Sequence, residues 1–148
     1  MLSSTLISLY RRDLQKLKRE VSLYKNEKNL WLVKEDLSNS AGNLCLYLVG
    51  NLNHFIGVVI GQTGYVRQRE QEFSQKNVSV ETMTLQIDQT IAMIETVLNG
   101  LEDSEFKKNY PIEVFGKPMT TEYFLVHLST HLSYHLGQIN YHRRLLDS

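Results

Sequence analysis

Apolar residues recur at steps of three and four along most of the chain, the spacing that gathers them on one stripe of an α-helix rather than on one face of a strand. Ile7, Tyr10, Leu14, Leu17, Val21 and Tyr24 form the first stripe and predict a helix from about Ser4 to Lys25. Leu44, Leu48, Asn51, Phe55 and Val58 form the second, which opens near the capping cluster Ser38-Asn39-Ser40 and ends near Gly61. Ile87, Ile91, Ile94, Leu98 and Leu101 form the third. It starts behind Ser79, with Glu81 in the first turn against the positive end of the helix dipole, and stops around Asn99-Gly100. The fourth helix is expected over Thr121–Leu146, a stretch with no proline and a single glycine, Gly137. Strand alternation is almost absent, so the expected class is all-α.

The fourth stripe departs from the rest. It reads Phe124, Leu128, His131, His135, Gln138, His142, Leu145, so its middle is polar where an apolar seam is expected. A buried imidazole or amide without a partner costs about 1–3 kcal/mol, which requires these groups to find hydrogen bonds, water or metal. A spacing of four in a helix leaves two side chains about 40° apart on one face, a turn from each other. His131 and His135 are so placed and can share one ion. Asn51 belongs to the same argument on the second helix, and His54 lies one turn further along.

Three long links join the helices: 26–37, with Trp31; 62–78; and 103–119, with Pro111, Gly116 and Pro118. Links of this length can cross from one end of a bundle to the other. The 62–78 link carries Tyr65, Arg67, Arg69 and Phe73 and is placed to cover one mouth of the bundle.

With 148 residues and no linker or repeat, the chain reads as one domain over 1–148. Sixteen basic and sixteen acidic residues cancel. No overall field then holds a nucleic-acid backbone or an anionic membrane, and the run Arg11, Arg12, Lys16, Lys18, Arg19 reads as a solvated outer face. Neither nucleic acid nor membrane is expected as a partner. The apolar window from Leu44 to Ile60 is interrupted by Asn51, Asn53 and His54 and is shorter than the roughly 20 residues of a membrane span. The opening MLSSTLISLYRRDL lacks the charge order of a signal peptide, and the expected location is cytoplasmic. The single cysteine, Cys45, excludes an intramolecular disulfide framework and reads as a small buried residue rather than a nucleophile.

The segments SAGNLCLYLVGNLNHFIG at 40–57 and HLSTHLSYHLGQI at 127–139 give the chain a resemblance to the DinB-like (YfiT-like) superfamily of metal-binding four-helix proteins. The resemblance extends through the helix layout to most of the chain. It implies a four-helix bundle in up-down-down-up order, with a long crossover between the second and third helices, and frequent dimerisation. It also implies a metal-holding triad of one histidine from the second helix and two from the fourth, shortly before a Gly-Gln pair. Carried over by that motif, the ligands are His54, His131 and His135, trailed by Gly137 and Gln138. The family commonly has two adjacent histidines before that pair; here Tyr134 replaces the first of them.

Three neutral imidazoles can bind Zn²⁺, Ni²⁺, Fe²⁺ or Mn²⁺ and leave a coordination position open to water or substrate. An open divalent ion lowers the pKa of a bound water or thiol, which serves a hydrolase or a thiol transferase respectively. The resemblance implies a transferase of a low-molecular-weight thiol acting on a small-molecule substrate. The alternative is a non-catalytic metal-binding or stress-response helical module, and a third reading is a plain helical interaction protein. His127 reads as a group supporting a ligand or a cap, and His142 as a polar lining or surface residue too far along the axis to share the ion. Asn51 and Gln138 either orient a ligand or fix helix register. Tyr134 is expected to pack against another helix, the remaining aromatic residues of the first and fourth helices to be core, and Asp13 and Glu20 to be solvated.

Overall fold

Each of the four stripes becomes a long helix in the computed structural model, which describes residues 2–148. Helix α1 runs Leu2–Leu23, and α2 runs Ala41–Leu52 and continues as a π-helical segment, Asn53–Val58. After the short helix α3, Arg69–Ser74, come α4, Val80–Asn99, the short α5, Asp103–Lys107, and α6, Thr121–Leu146. Among the described residues there is no strand, and one isolated bridge joins Asn109 to Thr120. The capping signals act as expected at Ser40 and Ser79, which accept from the backbone N–H groups of Asn43 and Thr82, and Thr120 caps the last helix in the same way by accepting from Tyr123 N–H. The links hold structure of their own, a 3₁₀ turn at Glu27–Trp31 besides α3 and α5.

Paired contacts fix how the long helices run. Arg11 pairs with Glu95, and Lys18 with Asp88 at 3.0 Å, so α1 and α4 are antiparallel. The Tyr10 hydroxyl donates to the Leu125 carbonyl at 2.5 Å and Arg143 donates to Glu20 at 2.7 Å, so α1 and α6 run parallel. Tyr47 meets His131 and His135 while Phe55 meets Phe124, so α2 opposes α6. Asn53 donates to Thr90 at 2.9 Å and Gly61 lies against Val97, so the second helix and α4 are parallel. The side chains of Leu14, Leu17, Leu48, Ile87, Leu98 and Leu125 are fully buried between these helices.

The polar stripe of α6 is not its core seam. Phe124, Leu125, Leu128, Leu132, Leu136 and Ile139 are buried, whereas Leu145 is 72% exposed and Gln138 is exposed. Two stripes compete on this helix, and the one that is apolar throughout takes the interior; His131 and His135 sit on its flank, facing α2. Tyr134, expected to pack, is 59% exposed, as Tyr123 and Tyr141 are also exposed. Asp13 and Glu20, expected to be solvated, are not: Asp13 is buried beside Arg12, and Glu20 accepts from Asn140 and Arg143. Among the described residues no helix is long and apolar enough to cross a membrane.

Candidate metal centre

The α-helical spacing of His131 and His135 does what geometry requires of it. Their Nε2 atoms lie 3.2 Å apart, with the rings nearly perpendicular at 85°. Two nitrogens on one ion at about 2.0–2.1 Å, with bond angles near 90–110°, stand roughly 2.9–3.4 Å apart. The pair therefore has the separation that a shared ion needs. His135 Nδ1 lies 2.7 Å from Gln138 Oε1, so Nδ1–H donates to that oxygen and Nε2 keeps its lone pair toward His131. This gives Gln138 a role: it sets the tautomer of His135.

The third histidine stands apart from the pair. His54 belongs to the π segment, where Val59 N–H bonds to the His54 carbonyl and Gly61 N–H to the Ile56 carbonyl, both at 3.0 Å. Such wider turns are rare and concentrate at functional sites. His54 is half-buried, edge-on to Phe55 at 4.9 Å, and lines the same cleft of about 470 Å³ as His127 and His131. Among the described residues no three His, Cys, Asp or Glu side chains are gathered closely enough to hold an ion where they stand. The two α6 histidines are assembled; His54 faces the cleft without being drawn up to them.

Burial pushes the His131 imidazolium down to about 4, with His135, His127 and Arg67 adding like-charge repulsion. Burial also lowers His54, helped by Arg67 and opposed by Glu72. His131 is therefore neutral at pH 7, the state in which imidazole nitrogen binds metal. Its Nδ1 is buried with no partner among the described residues, as is Asn51 Oδ1. His127 stacks on Phe124 at 5.8 Å and meets Phe115 edge-on at 4.9 Å, which places it in the wall of the cleft.

His142 is not the surface histidine of one expectation; as the other had it, it lines a cavity, shared with His135, Gln138 and Tyr141. It is buried; its Nδ1 accepts from the Tyr24 hydroxyl at 2.6 Å and its Nε2–H donates to the Leu32 carbonyl at 2.9 Å. It ties α6 to α1 and to the first link. Cys45 is wholly buried, and burial pushes its thiol up to about 12, as expected of a packing residue.

Tyr47 and Glu72 are site residues that the sequence pattern does not single out, and Arg67 is one that it places only within a link covering one mouth. The Tyr47 hydroxyl lies 3.2 Å from His131 Nε2, and its ring meets both histidine rings. Its spacing from Asn51 and His54, four and seven residues, puts all three on one face and was the available signal. Arg67 lies over the rings of Tyr47 and Phe55, at 5.6 and 5.9 Å from their centroids, and is held by two 3.0 Å contacts to Glu72. Glu72 is buried against Gly50, where a Cβ would occupy the position of its carboxylate. Nothing in the spacing of 67 and 72 announces that fit.

The chain matches, over residues 3–148, the family described as a protein of unknown function (DUF1572). No curated protein matches the chain.

Proposed function

The chain belongs to that family of proteins of unknown function, and from that premise we propose that it binds a divalent metal ion through His131 and His135 and acts on a small molecule in the cleft that His131 lines with His54 and His127. We read the four long helices as one DinB-like bundle in up-down-down-up order, which the antiparallel α1/α4 and α2/α6 pairs and the parallel α1/α6 pair support. The observation that carries the metal reading is the 3.2 Å between the two Nε2 atoms. His54 is the third ligand of this reading, reaching the pair by turning its side chain across the cleft it already lines.

Bound there, a divalent cation supplies Lewis acidity that makes a thiol or a water nucleophilic near neutral pH. The chain's own groups prepare the site. Burial keeps His131 neutral, and Gln138 fixes the proton of His135 on Nδ1. The Tyr47 hydroxyl, 3.2 Å from His131 Nε2, can hold a proton beside the ligand face. Phe115 and Phe124 give the cleft apolar walls. A cleft of this size lined by His131, with His135 on a second cavity beside it, favours a catalytic site, most simply a transferase of a low-molecular-weight thiol or a hydrolase, over a closed structural site.

The test is elemental analysis of protein purified without a metal-affinity tag, beside His131→Ala and His54→Ala. Near-stoichiometric metal in wild type, absent from His131→Ala, supports the assignment; equal metal in both overturns it. Retention of full metal by His54→Ala removes that residue from the ligand set and leaves the α6 pair.

A further inference from the structure

The cleft over the histidines has an electrostatic sign that its metal chemistry does not require. Arg67 and Arg69 both line it, and no aspartate or glutamate does. Glu72, which pairs with Arg67, lines the neighbouring cavity instead. Arg67 is thereby held in place and its charge is answered from behind. Arg69 is different: it is exposed, its guanidinium lies over the Phe73 ring at 5.6 Å, and no carboxylate pairs with it among the described residues.

The remaining walls are aromatic. Phe55 and Phe115 meet Phe124 at 5.3 and 5.9 Å, and Phe115 is 49% exposed at the rim, a large apolar surface left to solvent at the mouth. In the depth lies Asn51, 5% exposed, with Oδ1 lacking a donor among the described residues. A buried acceptor without a partner costs about 1–3 kcal/mol, a deficit that a bound molecule carrying an N–H or O–H can relieve.

The geometry points to a small organic anion with a flat apolar body as the ligand of this cleft: its carboxylate or comparable anionic group on Arg69 beside Arg67, its body between Phe55, Phe115 and Phe124. This names the substrate class of the site proposed above and rests on that cleft being a ligand site, but not on the metal. A planar guanidinium is the side chain suited to a carboxylate, through two parallel N–H donors. A cavity of about 470 Å³ has the size of a small-molecule site.

The experiment is calorimetric titration of the full chain with 2-naphthoate and with its neutral counterpart, 2-naphthamide, using protein as purified and protein stripped by chelator. In low salt the anion is expected to bind about ten-fold more tightly than the amide in both preparations, and the advantage should shrink as ionic strength rises. Arg69→Gln should reduce the advantage to less than about three-fold, while Arg69→Lys retains part of it. Thermal melts of the variants confirm folding, and Arg69, being exposed, is expected to leave them unchanged. Equal affinity for the two probes, no binding of either, or an unaltered advantage in Arg69→Gln overturns the proposal. So does binding of naphthoate confined to metal-loaded protein, since the anion is then a metal ligand. Absence of metal from the untagged protein, with the naphthoate preference intact, refutes the metal reading alone.

Discussion

Replacing Glu72 by alanine should destabilise the protein far more than a surface charge change does. Its carboxylate makes two 3.0 Å contacts to Arg67, and the two side chains are only 7% and 12% exposed. Breaking a buried pair by removing one partner costs about 3–5 kcal/mol, because a charge is left buried and unpaired. Arg67 keeps its places over Tyr47 and Phe55 and retains some exposure, which argues for the lower end, about 3 kcal/mol. At about 2–4 °C per kcal/mol for a chain of this size, the melting temperature should fall by roughly 6–12 °C. The joint replacement Arg67→Met with Glu72→Met removes both charges and should lie closer to wild type than Glu72→Ala alone. Gly50 sharpens the test. The three nearest obstacles to a Cβ there are all atoms of Glu72. Gly50→Ala should therefore destabilise the wild type, yet stabilise the Glu72→Ala background by up to about 1 kcal/mol, the ordinary helical gain of alanine over glycine. Urea unfolding of the five proteins measures every leg. An unchanged sign for Gly50→Ala in the two backgrounds, or a loss under about 1 kcal/mol for Glu72→Ala, refutes the argument.

His142→Phe should cost about 2–4 kcal/mol by urea unfolding, since it leaves the Tyr24 hydroxyl and the Leu32 carbonyl without partners in a buried place. Cys45 should be inert to a thiol reagent in native protein and react fully in denaturant; modification under native conditions contradicts its complete burial and raised thiol. Burial alone raises the Asp147 carboxyl, but the donors Lys25 N–H, Asn29 Nδ2 and Asn26 N–H outweigh it and set it below the ordinary range. A folded-state value below the unfolded one gives stability that is complete above about pH 4 and is lost as pH falls through the folded value. Asp147→Asn should flatten that acid limb of the stability curve and leave its shape above about pH 5 unaltered.

The long helices were legible because their apolar stripes are long and their caps are side chains with one job each. Ser79 and Thr120 stand where the pattern starts, and the helices begin one residue later. The seam of α6 was misread for a definite reason. In a helix of 26 residues with leucine at 125, 128, 132 and 136, two stripes about 90° apart both satisfy a three-four step, and spacing alone does not rank them. Interior position went to the stripe without polar members. Misplacing the seam did not misplace the pair, because His131 and His135 share a face wherever the seam runs. The remainder of the site was not legible because it depends on what crosses it. The 62–78 link was read as a cover for one mouth, and Arg67 and Arg69 do line the cleft. That Glu72 would seat itself against Gly50 to hold Arg67 is a fit between side chains that no periodicity encodes.

Departures from ordinary folding rules converge on one cleft. The two buried side-chain atoms without partners among the described residues, Asn51 Oδ1 and His131 Nδ1, belong to residues that line it. The π segment carries His54 into the same wall, and Arg69 lies at its edge with no carboxylate to pair with among the described residues. Elsewhere comparable groups are answered: His142 has two partners, Asn43 bonds through both ends of its amide, and Asp147 accepts from three donors. A chain able to satisfy these groups and yet leaving polar deficits, a widened helical turn and an unpaired cation around one cavity concentrates its unfavourable terms where a ligand can offset them. The same concentration predicts where loss of function and gain of stability should coincide. Asn51→Leu, which removes the orphaned acceptor, should raise the melting temperature while weakening the binding of 6-hydroxy-2-naphthoate, whose hydroxyl can donate to that acceptor, more than that of 2-naphthoate, which has no donor; a variant that shows neither effect removes Asn51 from the ligand site.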